Sequence, residues 1–124
     1  MAQITRYEEL VPWQRARDMT RLVYVVSKYP ALKDTPLGCE LQRAAILIAA
    51  QIAGAFDLRE QERFCRQKLA GARAACNGLR WLLSMAYQQG KVSPNAYEEL
   101  STRQLEIRQL LFALEHMLLH EGEL

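Results

Sequence analysis

Apolar residues recur along this chain at helical spacing, in four blocks separated by proline, glycine and capping residues. The first block predicts a helix from about Leu10 to Lys28, with Trp13, Ala16, Thr20 and Val23 on one side and Leu22, Val25 and Val26 widening it. Pro12 falls in the first turn, where its missing N–H costs nothing, and Pro30 ends the helix and pushes Tyr29 towards extended backbone. After a short connection over Ala31 to Asp34, Thr35 and Pro36 supply the N-cap and first-turn proline of a second helix. Leu37, Leu41, Ala44, Ala45, Ile48 and Ile52 form its stripe. Ile46, Leu47, Ala49 and Ala53 make it apolar on nearly every side, which predicts a centrally buried helix.

Asp57-Leu58-Arg59-Glu60 reads as a capping box that opens a third helix running to about Gln89. Its core face is Cys65, Leu69, Ala72, Cys76, Leu79, Leu83 and Ala86, and Gly90 provides the left-handed residue beyond its end. Ser93 and Pro94 start a fourth helix that reaches about His120. Here Leu100, Ile107, Leu111, Leu114 and Leu118 form a core stripe, while Leu105, Phe112 and Leu119 repeat every seven residues on a second face. A bundle helix needs only about a third of its circumference apolar, so the surplus predicts burial against another subunit. Short loops force up-down-up-down neighbours. The pattern therefore predicts one all-α domain over residues 1–124, an antiparallel four-helix bundle.

Composition narrows this further. Of 124 residues, 50% are hydrophobic and only 6 are Gly and 4 Pro, which suits a core of long helices and not the frequent turns of an all-β fold. The net charge of +2 is small, so any basic surface must come from segregated charge. Cys39, Cys65 and Cys76 lie in apolar helical context without C-x-x-C spacing and read as buried free thiols in a reducing compartment. The N-terminus lacks a signal-peptide pattern, and the longest apolar stretch, Ala44 to Phe56, is shorter than the ~20 residues of a membrane span. A soluble cytoplasmic protein without a membrane partner is expected.

The clearest segregated charge is on the third helix. Arg59, Arg66, Arg73 and Arg80 recur every seven residues, drifting only ~20° per step, and Arg63 lies on the same side. Asn77, Ser84 and Gln88 are interspersed, with no acidic neighbour expected on that face. Such a stripe can follow successive phosphates of RNA or DNA, and Arg17 and Arg21 on the first helix can add to it. The bland alternative is a solvated face, or arginines paired with Glu60, Glu62 or Glu106. Arg43, within the apolar second helix, is expected in the core or at a subunit interface, as an ion-pair partner. Trp81 and Tyr97 read as packing residues rather than stacking platforms, with Trp81 off the core face and able to contact a partner.

His116 and His120 share a helix face with Glu115 and Glu121 nearby, but no third metal ligand is evident and their last-turn position suits the helix dipole. No nucleophile elbow, phosphate-binding loop or zinc-protease motif is present. No enzyme, cofactor or metal is expected.

The stretch Tyr7 to Ala16 (YEELVPWQRA), the aliphatic run to Tyr29-Pro30, and Leu37 to Ala45 (LGCELQRAA) resemble the small four-helix-bundle proteins encoded in intervening sequences of bacterial 23S ribosomal RNA genes. Leu79-Arg80-Trp81-Leu82-Leu83, Tyr97 and Glu106-Ile107 are similar to a relative, the accessory variability determinant of diversity-generating retroelements. The chain departs from the first pattern at Gln42-Arg43, Gln51 to Ala55, Ala74-Ala75 and Gly78. The resemblance implies a ring-like homo-oligomer, a pentamer, that binds nucleic acid and a reverse transcriptase. The expectation is thus a homo-oligomeric nucleic-acid-binding adaptor; the alternative is a protein-interaction module that binds no nucleic acid.

Overall fold

In the computed structural model, which describes residues 3–120, a 3-10 turn (Tyr7–Glu9) leads into four α-helices: α1 (Val11–Ser27), α2 (Pro36–Asp57), α3 (Glu62–Gln88) and α4 (Pro94–His120). Each helix packs on the next and α4 returns to α1, the neighbour pattern of an antiparallel bundle.

The punctuation acts largely as its chemistry dictates. Thr35 Oγ1 accepts a hydrogen bond from the Gly38 N–H at 3.1 Å, and Ser93 Oγ accepts from the Ala96 N–H at 3.1 Å. Each hydroxyl satisfies a donor that the first helical turn leaves without a carbonyl. Gly90 turns the chain at φ +70° after α3, and Asp34 does the same at φ 59° before α2. Asp34 tolerates this region because its short polar side chain can bond locally.

Asp57 departs from expectation. It is the last residue of α2, and α3 starts at Glu62 behind Gln61, whose side chain makes no cap. The apolar run through Phe56 keeps α2 winding one turn further, so no capping box forms. Arg59 consequently lies in the connection and not on α3.

All seven core positions expected on α3 are buried. On α4, Leu100, Ile107, Leu111 and Leu114 are buried, whereas Leu118 is half-buried. On α1, Met19 supplies core volume that the sequence reading gave to others, and Val25 is 53% exposed. Cys39 is exposed, unlike buried Cys65 and Cys76, because it lies on the side of α2 opposite Ile48.

The larger correction concerns α2. It buries Leu41, Ala45, Ile48, Ile52 and Ala55 against α1 and α3, yet Ile46 and Leu47 remain 44% and 39% exposed. In a bundle of four, every helix has an outer side, so α2 cannot be central. By length and composition it is also the one described helix long and apolar enough to cross a membrane, with 39% of its most apolar stretch buried in the bundle. Arg43, Gln51 and a continuous buried stripe mark it as a core helix with an apolar outer face.

Candidate nucleic-acid interface

Between Glu62 and Glu98 the chain carries no Asp or Glu, so nearly all of α3 and the turn beyond it is free of acidic side chains of its own. Core residues fix how its basic residues point. With Leu69, Cys76 and Leu83 turned inward, Arg66, Arg73 and Arg80 fall on the flank towards α4, and Arg63 points outward.

Their partners differ. Arg66 donates to Glu62 Oε1 through Nε at 3.0 Å and Nη2 at 2.8 Å. Arg73 reaches across to α4 and donates to Glu115 Oε2 at 2.8 Å. Arg59 donates through Nη1 to the Phe56 carbonyl at 2.9 Å, with its guanidinium 4.1 Å above the Phe56 ring. Arg63 and Arg80 are exposed and have no acidic partner among the described residues. The face is therefore not free of acids as expected: Glu62 enters from one turn before Arg66, and Glu115 enters from the neighbouring helix, which spacing along α3 alone cannot reveal. The Arg66–Glu62 pair is solvent-exposed, and such pairs contribute only ~0–1 kcal/mol, so Arg66 can exchange its carboxylate for a phosphate; the Arg73–Glu115 pair is half-buried and ties α3 to α4.

Arg108 was missed. It lies one turn beyond Gln104 and two before Glu115, both of which contact α3, and its charge acts on the Cys76 thiol. It is exposed and has no ion pair among the described residues, so it extends the basic face onto α4. The signal was its seven-residue offset from Glu115, legible only once Glu115 was known to face α3.

Arg17 and Arg21 do not join this face. Both line a groove of about 430 Å³ between α1 and α2 with Trp13, Tyr24, Ile46 and Ala49. Asp18 offsets both charges, at 3.2 Å from Arg17 and 3.8 Å from Arg21. A charged depression between α1 and α4 holds Glu98, Glu99 and Glu106, with Arg15 and Arg103 bonded to two of them. Three carboxylates there would repel phosphate.

The expected subunit contacts divide. Leu105 is 50% and Phe112 63% exposed, whereas Leu119 is half-buried against its own core. Arg43 is exposed on the outer side of α2, which removes the core alternative and the expected burial. Trp81 does not pack within its own bundle, being 67% exposed, while Tyr97 stacks on Tyr87 at 4.3 Å.

The thiols are shielded. Burial pushes the Cys65 thiol above its usual range; Arg66 draws it back, and Glu115 and Glu62 add to the rise. Burial raises Cys76 likewise, against the hydrogen bond from Gln104 and the charge of Arg108. The rings of His116 and His120 lie 5.5 Å apart, and no group of three or more metal-ligating side chains occurs among the described residues. Glu121, expected beside them, lies outside those residues.

No curated protein matches the chain. The family described as 23S rRNA-intervening sequence protein matches residues 8–113, which span all of α1, α2 and α3 and most of α4. The chain belongs to the family of 23S rRNA-intervening sequence proteins.

Proposed function

We propose that the protein is a non-enzymatic, homo-oligomeric adaptor that binds nucleic acid through the outer face of α3 and the adjoining edge of α4. The observation that carries this reading is the acid-free run from Arg63 to Tyr97, with Arg63, Arg80 and Arg108 exposed and without acidic partners among the described residues. Guanidinium groups held on rigid helices lose little freedom on meeting phosphates, and their planar forks match phosphate oxygens.

Assembly is supported by apolar surface that one bundle cannot bury. Ile46 and Leu47 on α2 and Leu105 and Phe112 on α4 all remain exposed, on different sides of the molecule. Two distinct apolar faces favour head-to-tail contacts, which give a ring where the rotation between subunits closes. A pentamer, and a reverse transcriptase as protein partner, are the finer assignments that the resemblance to retroelement accessory proteins supports. An exposed free thiol at Cys39 suits the reducing cytoplasm.

A second reading, a protein-interaction module without nucleic acid, draws on the ion pairs that already hold Arg66 and Arg73. Fluorescence anisotropy with a structured RNA and a DNA duplex separates the two. The comparison protein carries Arg63→Glu, Arg80→Glu and Arg108→Glu. Binding that the variant loses while keeping its fold and mass supports the adaptor. Equal binding by both, or none by the wild type at low salt, leaves the interaction module.

A further inference from the structure

We propose that the α3 face takes a single-stranded segment of nucleic acid, with one unpaired base stacked on the indole of Trp81. This rests on the nucleic-acid reading above and adds the form of the ligand.

Trp81 is the most exposed large hydrophobic side chain among the described residues, at 67%. It makes no ring or cation contact among the described residues, unlike Trp13, which packs edge-on against Tyr7 at 5.2 Å and lies beneath Arg17. An indole left in water forgoes much of the stabilisation its area can provide, so a flat group seated on it would be favoured.

The surroundings specify that occupant. A helical side chain leans over the turn before it, which for Trp81 is the turn holding Asn77 and Gly78. Gly78 has open space where a Cβ would stand, so nothing from that residue obstructs the ring. Arg80 adjoins Trp81 in sequence, and Arg63 lies five full turns earlier on the same line of the helix. Asn77, Ser84 and Gln88 fall between the lines of Arg80 and Trp81 and can hydrogen-bond base edges or ribose. No acidic residue of α3 beyond Glu62 intervenes. Met85, one turn beyond Trp81, is also exposed and widens the platform. An aromatic platform beside Arg80 and neutral polar groups, with Arg63 further along the strand's path, matches a stacked base and its phosphate backbone, the combination that single-strand binders use.

Duplex pairing hides base faces, so stacking on Trp81 requires an unpaired nucleotide. Fluorescein-labelled oligouridine, oligothymidine and a blunt RNA duplex are titrated against wild type, Trp81→Phe and Trp81→Leu. Trp81 faces solvent, so neither substitution disturbs the core. The wild type should show quenching of indole fluorescence by either single strand that is absent in Trp81→Phe, where only Trp13 remains. Trp81→Leu should lose roughly tenfold or more in single-strand affinity, with Trp81→Phe close to wild type and duplex binding unchanged in both. Comparison of the two oligonucleotides distinguishes RNA from DNA as its source. Single-strand binding without quenching, or with equal affinity in Trp81→Leu, overturns the stacking and leaves the basic face intact. A fall in particle mass of Trp81→Leu also overturns it, because the ring would then be a subunit contact. Failure of every probe to bind overturns the underlying reading as well.

Discussion

Cys76 and Gln104 exchange hydrogen bonds across the seam between α3 and α4: the Gln104 side-chain amide donates to the Cys76 carbonyl at 3.0 Å, and the Cys76 thiol donates to the Gln104 carbonyl at 3.6 Å. Both residues are buried, so each bond replaces solvent the groups cannot reach. The pair fixes the register that sets Arg73 against Glu115 and places Arg108 beside the α3 stripe. Gln104→Ala should lower stability by about 1–3 kcal/mol, seen as a shift in denaturant midpoint. A negligible shift would show that the seam holds without it.

The thiols give an order of reactivity. Cys39 should react first with iodoacetamide in the native protein, and Cys65 and Cys76 only on unfolding. Because their folded pKa values are raised, the folded state keeps protons that unfolded thiols release above about pH 8.5. Above that pH the unfolded state binds fewer protons, so this contribution is fully present at lower pH and is lost as pH rises. Thermal midpoints should fall with alkalinity more steeply in the wild type than in a Cys65→Ala, Cys76→Ala variant. Parallel slopes would contradict the shielding.

Leu69 and Gly38 test the core and its entry. Leu69 is fully buried on the core face of α3, and Leu69→Ala should cost roughly 2–5 kcal/mol by denaturant titration. Gly38 lies where α2 begins, and a Cβ there would collide with the Leu32 carbonyl oxygen. Gly38→Ala should therefore destabilise by about 1–3 kcal/mol despite alanine's better helix propensity. A stabilised Gly38→Ala protein would mean the preceding turn yields freely.

These positions show what the sequence makes legible. The seven core residues of α3 follow from periodicity, because apolar spacing and burial have one cause on a helix packed against two neighbours. Thr35, Ser93 and Gly90 follow from local chemistry that needs no tertiary partner. What could not be read is relational. Glu115 meeting Arg73, Arg108 joining the basic face and Arg17 lying away from it all depend on how helices are placed side by side. The outer face of α2 was misread for a similar reason: apolarity on every side says that a helix needs cover, but not that its own chain provides it.

Assembly can be tested face by face. Ile46→Glu on α2 and Phe112→Glu on α4 should each reduce the particle mass in light scattering while far-ultraviolet circular dichroism stays helical. Leu119→Glu should instead lower stability, because Leu119 packs on its own core. A wild type that sediments as a monomer would contradict the assignment of both faces.

The most direct test of the central claim is the salt dependence of RNA binding, wild type against an Arg80→Gln, Arg108→Gln variant of the same mass. Counterion release predicts that log K falls linearly with log salt, by a slope of about −0.7 to −0.9 for each phosphate contacted. The account predicts a steep slope in the wild type and one shallower by roughly 1–2 in the variant. Identical slopes, or binding indifferent to salt, would contradict the assignment of these arginines to phosphate.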